Sequence, residues 1–249
     1  MSKMKIIIAI LTYFLIINSI YSQINTDRPG YTDPPQTIGL GKFQWENGLD
    51  FTYYNNINNY EFNLINSLFR YGLTDYSEIR FFLAYSNIQS NEDKITISGL
   101  SEIGIGLKLK IYESNFSLIP SNSLIIGLGL PNGDNNFKRN IIEPSLIFVF
   151  ENSINDNLSI GYNVGFNWTE ESISYLYSFS LGYNLLEDIN LTIGYMSELY
   201  RYDKPIQYLE FAIGYIITNN FQVDFWTSFT PFFEVKENYL SIGFSWLLF

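Results

Sequence analysis

The sequence contains no cysteine and no histidine among its 249 residues. Without cysteine, disulfide frameworks, thiol catalysis and thiolate metal sites are excluded. Without histidine, imidazole metal sites and catalytic triads that use histidine as the base are excluded, including the serine–histidine pair of a membrane hydrolase. We therefore expect neither an enzyme nor a bound metal or cofactor.

Positive charge is also scarce. Lys and Arg together number 14 against 25 Asp and Glu, which gives a net charge of −11. A nucleic-acid-binding protein needs a basic stripe that neutralises phosphates. We expect no nucleic-acid partner.

Long apolar runs are missing except near the amino terminus. Residues 6–17 form one apolar run, preceded by Lys3 and Lys5 and followed by a polar stretch that ends at Ser22. This run is too short to span a bilayer, and its setting is typical of a secretory signal peptide. We predict that residues 1–22 are removed on export. Because no later segment resembles a transmembrane helix, a membrane location would require a closed barrel.

Aromatic residues are abundant, with 20 tyrosines and 21 phenylalanines. Between residues 158 and 168, large apolar side chains alternate with serine, glycine and asparagine. A polar tetrad follows at residues 169–172, and the alternation then resumes with its phase shifted. This pattern predicts a β-hairpin.

The two faces of this hairpin differ from those of a soluble sheet. The apolar face is bulky and aromatic, and the opposite face is small and uncharged, whereas soluble sheets usually pack aliphatic residues inside and carry charges outside. Strands of about 9–11 residues with aromatic ends are typical of transmembrane barrels. A soluble lipocalin-like barrel is disfavoured because its interior would be overcrowded by tyrosine and phenylalanine.

The alternation recurs along the rest of the chain and predicts twelve strands within residues 42–249. We predict an all-β fold, a closed antiparallel transmembrane β-barrel with up-and-down topology, in which an even strand number places both termini on one side. The facing of the second and sixth strands stays open. Connections after strands 2, 4, 8 and 10 are predicted to be short, and those after strands 3, 5 and 11 longer.

The chain ends in an aromatic residue, as outer-membrane barrels commonly do, and we expect the barrel insertion machinery to be a partner. Phe249 lies one residue out of phase with Trp246 and Leu248. A β-bulge would explain this difference in phase.

Charged side chains of the strands fall mostly on the small-residue face. On the outer face, Lys or Arg at the bilayer midplane would cost roughly 2–4 kcal/mol, so we predict that this face lines the lumen. Either these side chains line a solute path, or they form an ion-pair network that fills the barrel. The candidate lumen residues are Glu46, Asp50, Glu78, Arg80, Glu102, Lys108, Lys110, Glu198, Glu210 and Asp224.

The distribution of these charges is uneven, because strands 7 and 8 contribute only serine, glycine and asparagine to the inner face. We predict a lopsided lumen with an uncharged wall. Twelve strands also lie between the roughly eight that side chains can fill and the 16–18 that leave a water channel. A narrow or partly plugged pore is expected.

Residues 23–41 are too rich in proline and glycine to form a strand. We expect an irregular segment that could act as a plug, with Asp27 and Arg28 pairing with charges of the inner face. The alternative is a periplasmic tail without a gating role.

Three short motifs resemble those of a known family. They are TDRP at residues 26–29, GKFQWE at residues 41–46 and RYGLTD at residues 70–75. In these motifs the chain resembles the family named for the MetA pathway of phenol degradation, a group of predicted outer-membrane transporters. The resemblance runs from Thr26 to the end of the chain and implies a transporter-like barrel in the bacterial outer membrane.

Two functions follow as hypotheses. The first is an outer-membrane channel or transporter for passive movement of small solutes, with aromatic or apolar compounds as candidates. The alternative is a structural or adhesive outer-membrane barrel with a closed lumen. Outer-membrane lipid is an expected partner in both cases, and the identity of the solute and the oligomeric state stay open.

Overall fold

The computed structural model describes residues 24–54, 59–90, 94–131, 137–170, 172–200, 204–231 and 237–249. The predicted signal peptide, residues 1–22, lies outside the described residues. No helix in the described part of the chain is both long and apolar enough to cross a membrane.

The described chain forms twelve β-strands, each antiparallel to its neighbours in sequence. β1 pairs with β12 and closes the barrel, which confirms the predicted fold. The strands are β1 (Phe43–Tyr54), β2 (Asn59–Thr74), β3 (Ser77–Ser90), β4 (Ile95–Tyr112), β5 (Ser121–Gly129), β6 (Glu143–Ser153), β7 (Leu158–Trp168), β8 (Ile173–Leu186), β9 (Ile189–Tyr200), β10 (Ile206–Thr218), β11 (Phe221–Phe229) and β12 (Glu237–Leu247).

Bulky side chains face outward and ionised ones face inward, as the alternation predicted. Tyr177 and Phe211 on the outer face are 36% and 42% exposed. Lys108 and Glu210 on the inner face are 0% and 3% exposed. The barrel therefore has an apolar outer surface and a polar interior.

A β-bulge in β2 explains why its faces could not be separated in sequence. Leu64 and Ile65 together oppose the single residue Leu49 of β1. A bulge adds one residue and so reverses the alternation beyond it. Odd-numbered residues such as Asn63 face inward before the bulge, and even-numbered residues such as Arg70 face inward after it.

β6 alternates regularly, but its inner face is partly apolar. Ile147 pairs with the buried Ile125 of β5, and Val149 is fully buried beside Asn163 of β7. Polarity therefore gives no contrast between the two faces of β6. The outward positions include Pro144.

Two predicted connection lengths are wrong. Only residues 91–94 join β3 to β4, because both strands run further than their apolar alternation indicated. The connection from β4 to β5 covers residues 113–120 and is longer than predicted. The connections after β2, β8 and β10 have two residues each, as expected for short turns. They lie at the same end as the start of β1 and the end of β12, which we assign as the periplasmic end.

The end of the chain has the hydrogen bonding of a β-bulge. Leu248 N–H donates to Phe43 O at 2.8 Å, while Phe43 N–H donates to Phe249 O at 2.7 Å. Two residues thus oppose one, which accounts for the phase of Phe249. Its ring stacks on that of Phe43, with 5.6 Å between the centroids.

Candidate functional site

Residues 24–41, called the leader here, contain no strand or helix and lie against the inner wall of the barrel. The backbone of Ile24 donates to Asn219 O at 2.8 Å, and that of Gly41 donates to Gly72 O at 2.9 Å. A Cβ atom at Gly72 would lie 1.7 Å from Gly39 O, so only glycine allows this approach. Between these two attachments the leader crosses the lumen.

Asp27 of the leader lies at the centre of a buried ion-pair network. Its carboxylate is 2.6 Å from Arg80 Nη2, 2.9 Å from Lys108 Nζ and 3.4 Å from Arg70 Nη1. Burial alone would raise the pKa of Asp27, but these three positive charges outweigh it and hold the pKa well below the usual aspartate value. Asp27 therefore stays ionised inside the barrel.

Arg70 joins the leader to two strands. Its guanidinium donates to Glu46 Oε1 at 2.9 Å and to both carboxylate oxygens of Glu78 at 2.8 and 3.0 Å. Glu46 also accepts the backbone N–H of Arg28 at 3.0 Å, and Glu78 accepts that of Ile38 at 2.9 Å. Each buried carboxylate thus neutralises an arginine and holds the leader backbone.

Arg70 is a lumen residue that was not predicted from the sequence. The bulge at Leu64 reverses the alternation within β2, so the polarity pattern of that strand did not show which side chains face inward. A signal was nevertheless present, because Arg70 shares its parity with Gly72 and begins the RYGLTD motif.

Arg28 anchors the leader to the opposite side of the β1–β12 seam. Its Nη2 lies 3.0 Å from Asp224 Oδ1 and donates to Ser241 Oγ at 2.7 Å. Burial opposes its charge, but Asp224 raises the pKa of Arg28 above its ordinary value.

The guanidinium of Arg28 lies flat on a pair of glycines. Gly48 and Gly243 face each other across the seam, and a Cβ atom at either would come within 2.5 Å of a nitrogen of Arg28. The missing side chains therefore create the space that Arg28 occupies.

The remaining predicted lumen residues differ in their connection to this network. Asp50 accepts from Ser241 at 2.6 Å and so extends the Arg28 cluster, and Glu210 accepts the backbone N–H of Tyr31 at 2.9 Å. Three others form no ion pair with the described leader residues. Glu198 accepts from Ser174, Lys110 pairs with Glu113 at the periplasmic mouth, and Glu102 is exposed with no ion pair to any described residue.

The wall opposite the network is uncharged along β7 and β8. Its inward side chains include Asn163, Ser178 and Ser180, all buried. Between this wall and the leader lies a polar cavity of about 510 Å³, which reaches the turn between β6 and β7. Ser180 and Gln222 are among its lining residues.

A group of inward aromatic side chains was also missed. The ring of Tyr31 lies edge-on to Trp226, with 4.6 Å between centroids, and 5.3 Å from the ring of Tyr208. Its hydroxyl lies 2.9 Å from Ser228 Oγ. Trp226 shares its parity with Asp224, which is the sequence signal that it faces inward. Tyr208, Trp226, Ser228 and Glu210 are called the Tyr31 pocket here.

A family model described as "Putative MetA-pathway of phenol degradation" matches residues 26–249. The chain belongs to this family. The match covers nearly the whole described chain and confirms the resemblance seen in the motifs. No curated protein matches the chain.

Several solved outer-membrane channels share the fold. An outer membrane channel from Pseudomonas putida F1 is 14% identical, with a TM-score of 0.71 over 87% of this chain and 100% of that one. NanC porin is 10% identical, with a TM-score of 0.58 over 80% and 98%. A TodX mutant, titled a monoaromatic hydrocarbon channel, is 10% identical, with a TM-score of 0.54 over 91% and 97%. At these identities the similarity shows that the family member described here has the fold of outer-membrane channels.

Proposed function

We propose that this protein is a channel for passive movement of small solutes across the bacterial outer membrane. The observation that carries the proposal is the content of the lumen. A purely structural barrel of small diameter is filled by the side chains of its own wall. Here a separate segment, the leader, occupies the lumen beside a polar cavity of about 510 Å³.

The leader is the plug of this channel in our proposal. It is held mainly by ion pairs and hydrogen bonds, of which Asp27 and Arg28 make the largest share. Releasing such contacts into water costs less free energy than exposing a packed apolar core, since water can hydrogen-bond to both released partners. The other candidate lumen residues would then line the path that the leader leaves.

Aromatic compounds are the solutes to test first. Trp226 and Tyr208 present rings to the lumen, against which the ring of an aromatic solute can pack. The fold shared with a channel titled for monoaromatic hydrocarbons supports the same choice. We propose no catalytic role. Outer-membrane lipid and the barrel insertion machinery, which would recognise Phe249, complete the proposed partners.

Single-channel recording in planar bilayers tests the proposal. Deletion of residues 24–41 should raise the conductance several-fold, because the plug is removed while the wall is unchanged. Leu40→Ala is the matched control, since Leu40 belongs to the leader but is 64% exposed. It should conduct like the wild type.

A structural barrel with a closed lumen is the second candidate. The observation that favours it is the density of buried ion pairs around Asp27, which also suits a permanently filled interior. A deletion variant that folds, as judged by a heat-modifiability gel, yet stays sealed would reject the channel and favour this second function.

A further inference from the structure

We propose that the Tyr31 pocket is a binding site for hydroxyphenyl amines, compounds with the chemistry of tyramine, and that Tyr31 occupies it as an internal ligand. The proposal rests on the proposed function only in taking this ligand as the solute of the channel. It is carried by three features of the pocket: its two aromatic rings, the polar groups at its two ends, and the carboxylate oxygen of Glu210 that the leader does not use.

The rings of the pocket fit one aromatic guest. Trp226 meets the ring of Tyr31 edge-on at 4.6 Å, and Tyr208 meets it at a tilt at 5.3 Å. Both arrangements are favourable for aromatic pairs. Since Tyr31 belongs to the leader and the other two belong to the barrel, removing the leader would leave these two rings facing the lumen.

The polar groups of the pocket match both ends of tyrosine. Ser228 Oγ lies 2.9 Å from the phenol oxygen of Tyr31, and Glu210 Oε2 accepts its backbone N–H at 2.9 Å. Tyramine has its hydroxyl and its nitrogen on the same carbon frame as the phenol oxygen and backbone nitrogen of tyrosine. Its length therefore matches the separation between Ser228 and Glu210 that Tyr31 spans.

Glu210 has capacity that the leader does not use. Its Oε1 is buried beside the indole N–H of Trp226 and accepts no hydrogen bond from the described leader residues. No described cation lies within ion-pair distance of Glu210, whereas Glu46, Glu78 and Asp224 each pair with an arginine.

An amine would satisfy this carboxylate better than a peptide group does. The backbone N–H of Tyr31 offers one donor and no charge, whereas a protonated amine offers three donors and a positive charge. The geometry therefore favours tyramine over phenol, which lacks the amine. It also favours tyramine over phenethylamine, which lacks the hydroxyl, and over 3-(4-hydroxyphenyl)propionate, whose carboxylate Glu210 would repel.

Calorimetric titration of the full-length protein in detergent with tyramine tests the site. Tyr31→Ala should tighten binding about tenfold or more, because the competing ring is removed and the competent fraction rises. The backbone N–H of residue 31 still meets Glu210 Oε2 in this variant, which leaves Oε1 for the amine. Asp27 and Arg28 still hold the leader in this variant. Tyr76→Ala is the control, since Tyr76 is 64% exposed in the turn between β2 and β3. This variant should bind tyramine with the affinity of the wild type.

The ligand series is then measured on Tyr31→Ala. We expect tyramine to bind at least about tenfold more tightly than phenol and 3-(4-hydroxyphenyl)propionate, which cannot donate an amine hydrogen bond to Glu210. Over phenethylamine, which loses only the neutral hydrogen bond to Ser228, the preference should be about threefold to tenfold. Glu210→Gln added to this variant should abolish the preference over phenol, and Ser228→Ala the preference over phenethylamine. A heat-modifiability gel confirms folding. If Glu210→Gln does not fold, the ligand series alone decides.

Equal binding of all four ligands, or no gain from Tyr31→Ala, would overturn the site. This outcome is distinct from failure of the channel, because binding in detergent needs no conduction. A sealed barrel that binds tyramine would reject the channel and keep the site, and a conducting barrel that ignores tyramine would do the reverse.

Discussion

Two walls of the same lumen share one outer pattern and differ inside. β1 to β4 carry most of the buried charges that hold the leader, with Arg70, Arg80 and Lys108 around Asp27. β7 and β8 present serine, glycine and asparagine, and a cavity lies between them and the leader. Lipid dictates the apolar outer face of both walls. The inner face is free of this constraint and can therefore differ from wall to wall.

Removing the central cation of the charged wall should have the largest effect. Arg70→Met would leave Glu46, Glu78 and Asp27 buried close together, with Arg80 and Lys108 as the remaining partners of Asp27. Breaking a buried ion pair from one side costs about 3–5 kcal/mol. Urea titration of the folded barrel in detergent should show this loss in the free energy of unfolding.

Arg139→Met is the control for this measurement. Its pair with Glu143 is partly exposed, so the change should stay within about 1 kcal/mol. An equal decrease in the free energy of unfolding for both variants would show that burial does not strengthen the contribution of the ion pairs in the charged wall.

The uncharged wall allows its two faces to be compared at neighbouring positions. Phe179 is 44% exposed on the outer face, whereas Ser180 is 9% exposed and lines the cavity. Lysine in place of Phe179 should cost roughly 2–4 kcal/mol in the bilayer and lower the folded fraction in vesicles. Ser180→Lys should fold normally and change the ion selectivity, and equal folding defects would contradict the assigned facing.

The contact between the leader and the glycine pair gives a smaller effect. Gly243→Ala would place a Cβ atom 2.5 Å from Arg28 Nη2 and displace it from Asp224, at a cost of about 1–3 kcal/mol for overpacking. Limited proteolysis should then cut the leader faster. Gly214→Ala is the matched control, since its new Cβ would come no closer than 3.4 Å to Gln222. Its leader should be cleaved at the wild-type rate. Unchanged cleavage of Gly243→Ala would argue against Arg28 as an anchor.

The periplasmic mouth should respond least. Lys110 lies two residues from Lys108 on β4 but pairs with the largely exposed Glu113. Lys110→Ala should change the free energy of unfolding by less than about 1 kcal/mol. Lys108→Ala, which removes a fully buried partner of Asp27, should cost more in the same urea titration. The reverse order would place the network at the mouth instead of the centre.

Most strands were predictable because lipid outside and polar groups inside leave a period of two. This signal failed where it lost contrast, at the bulge of β2 and on the partly apolar inner face of β6. Arg70 was missed for the first reason. Trp226 and Tyr208 were missed because inward positions were taken to be small, a rule that the lipid does not enforce inside the barrel.

The sequence by itself determined the strand number, the outer surface and the membership of Asp27 and Arg28 in one short motif. These features depend on local alternation and on neighbours along the chain. Only the tertiary structure decided which charges meet, since Arg28 and Asp224 are 196 positions apart and come together through closure of the barrel. Closure also placed Tyr31 beside Trp226 and Glu210, because the leader crosses a lumen whose far wall no local pattern can specify.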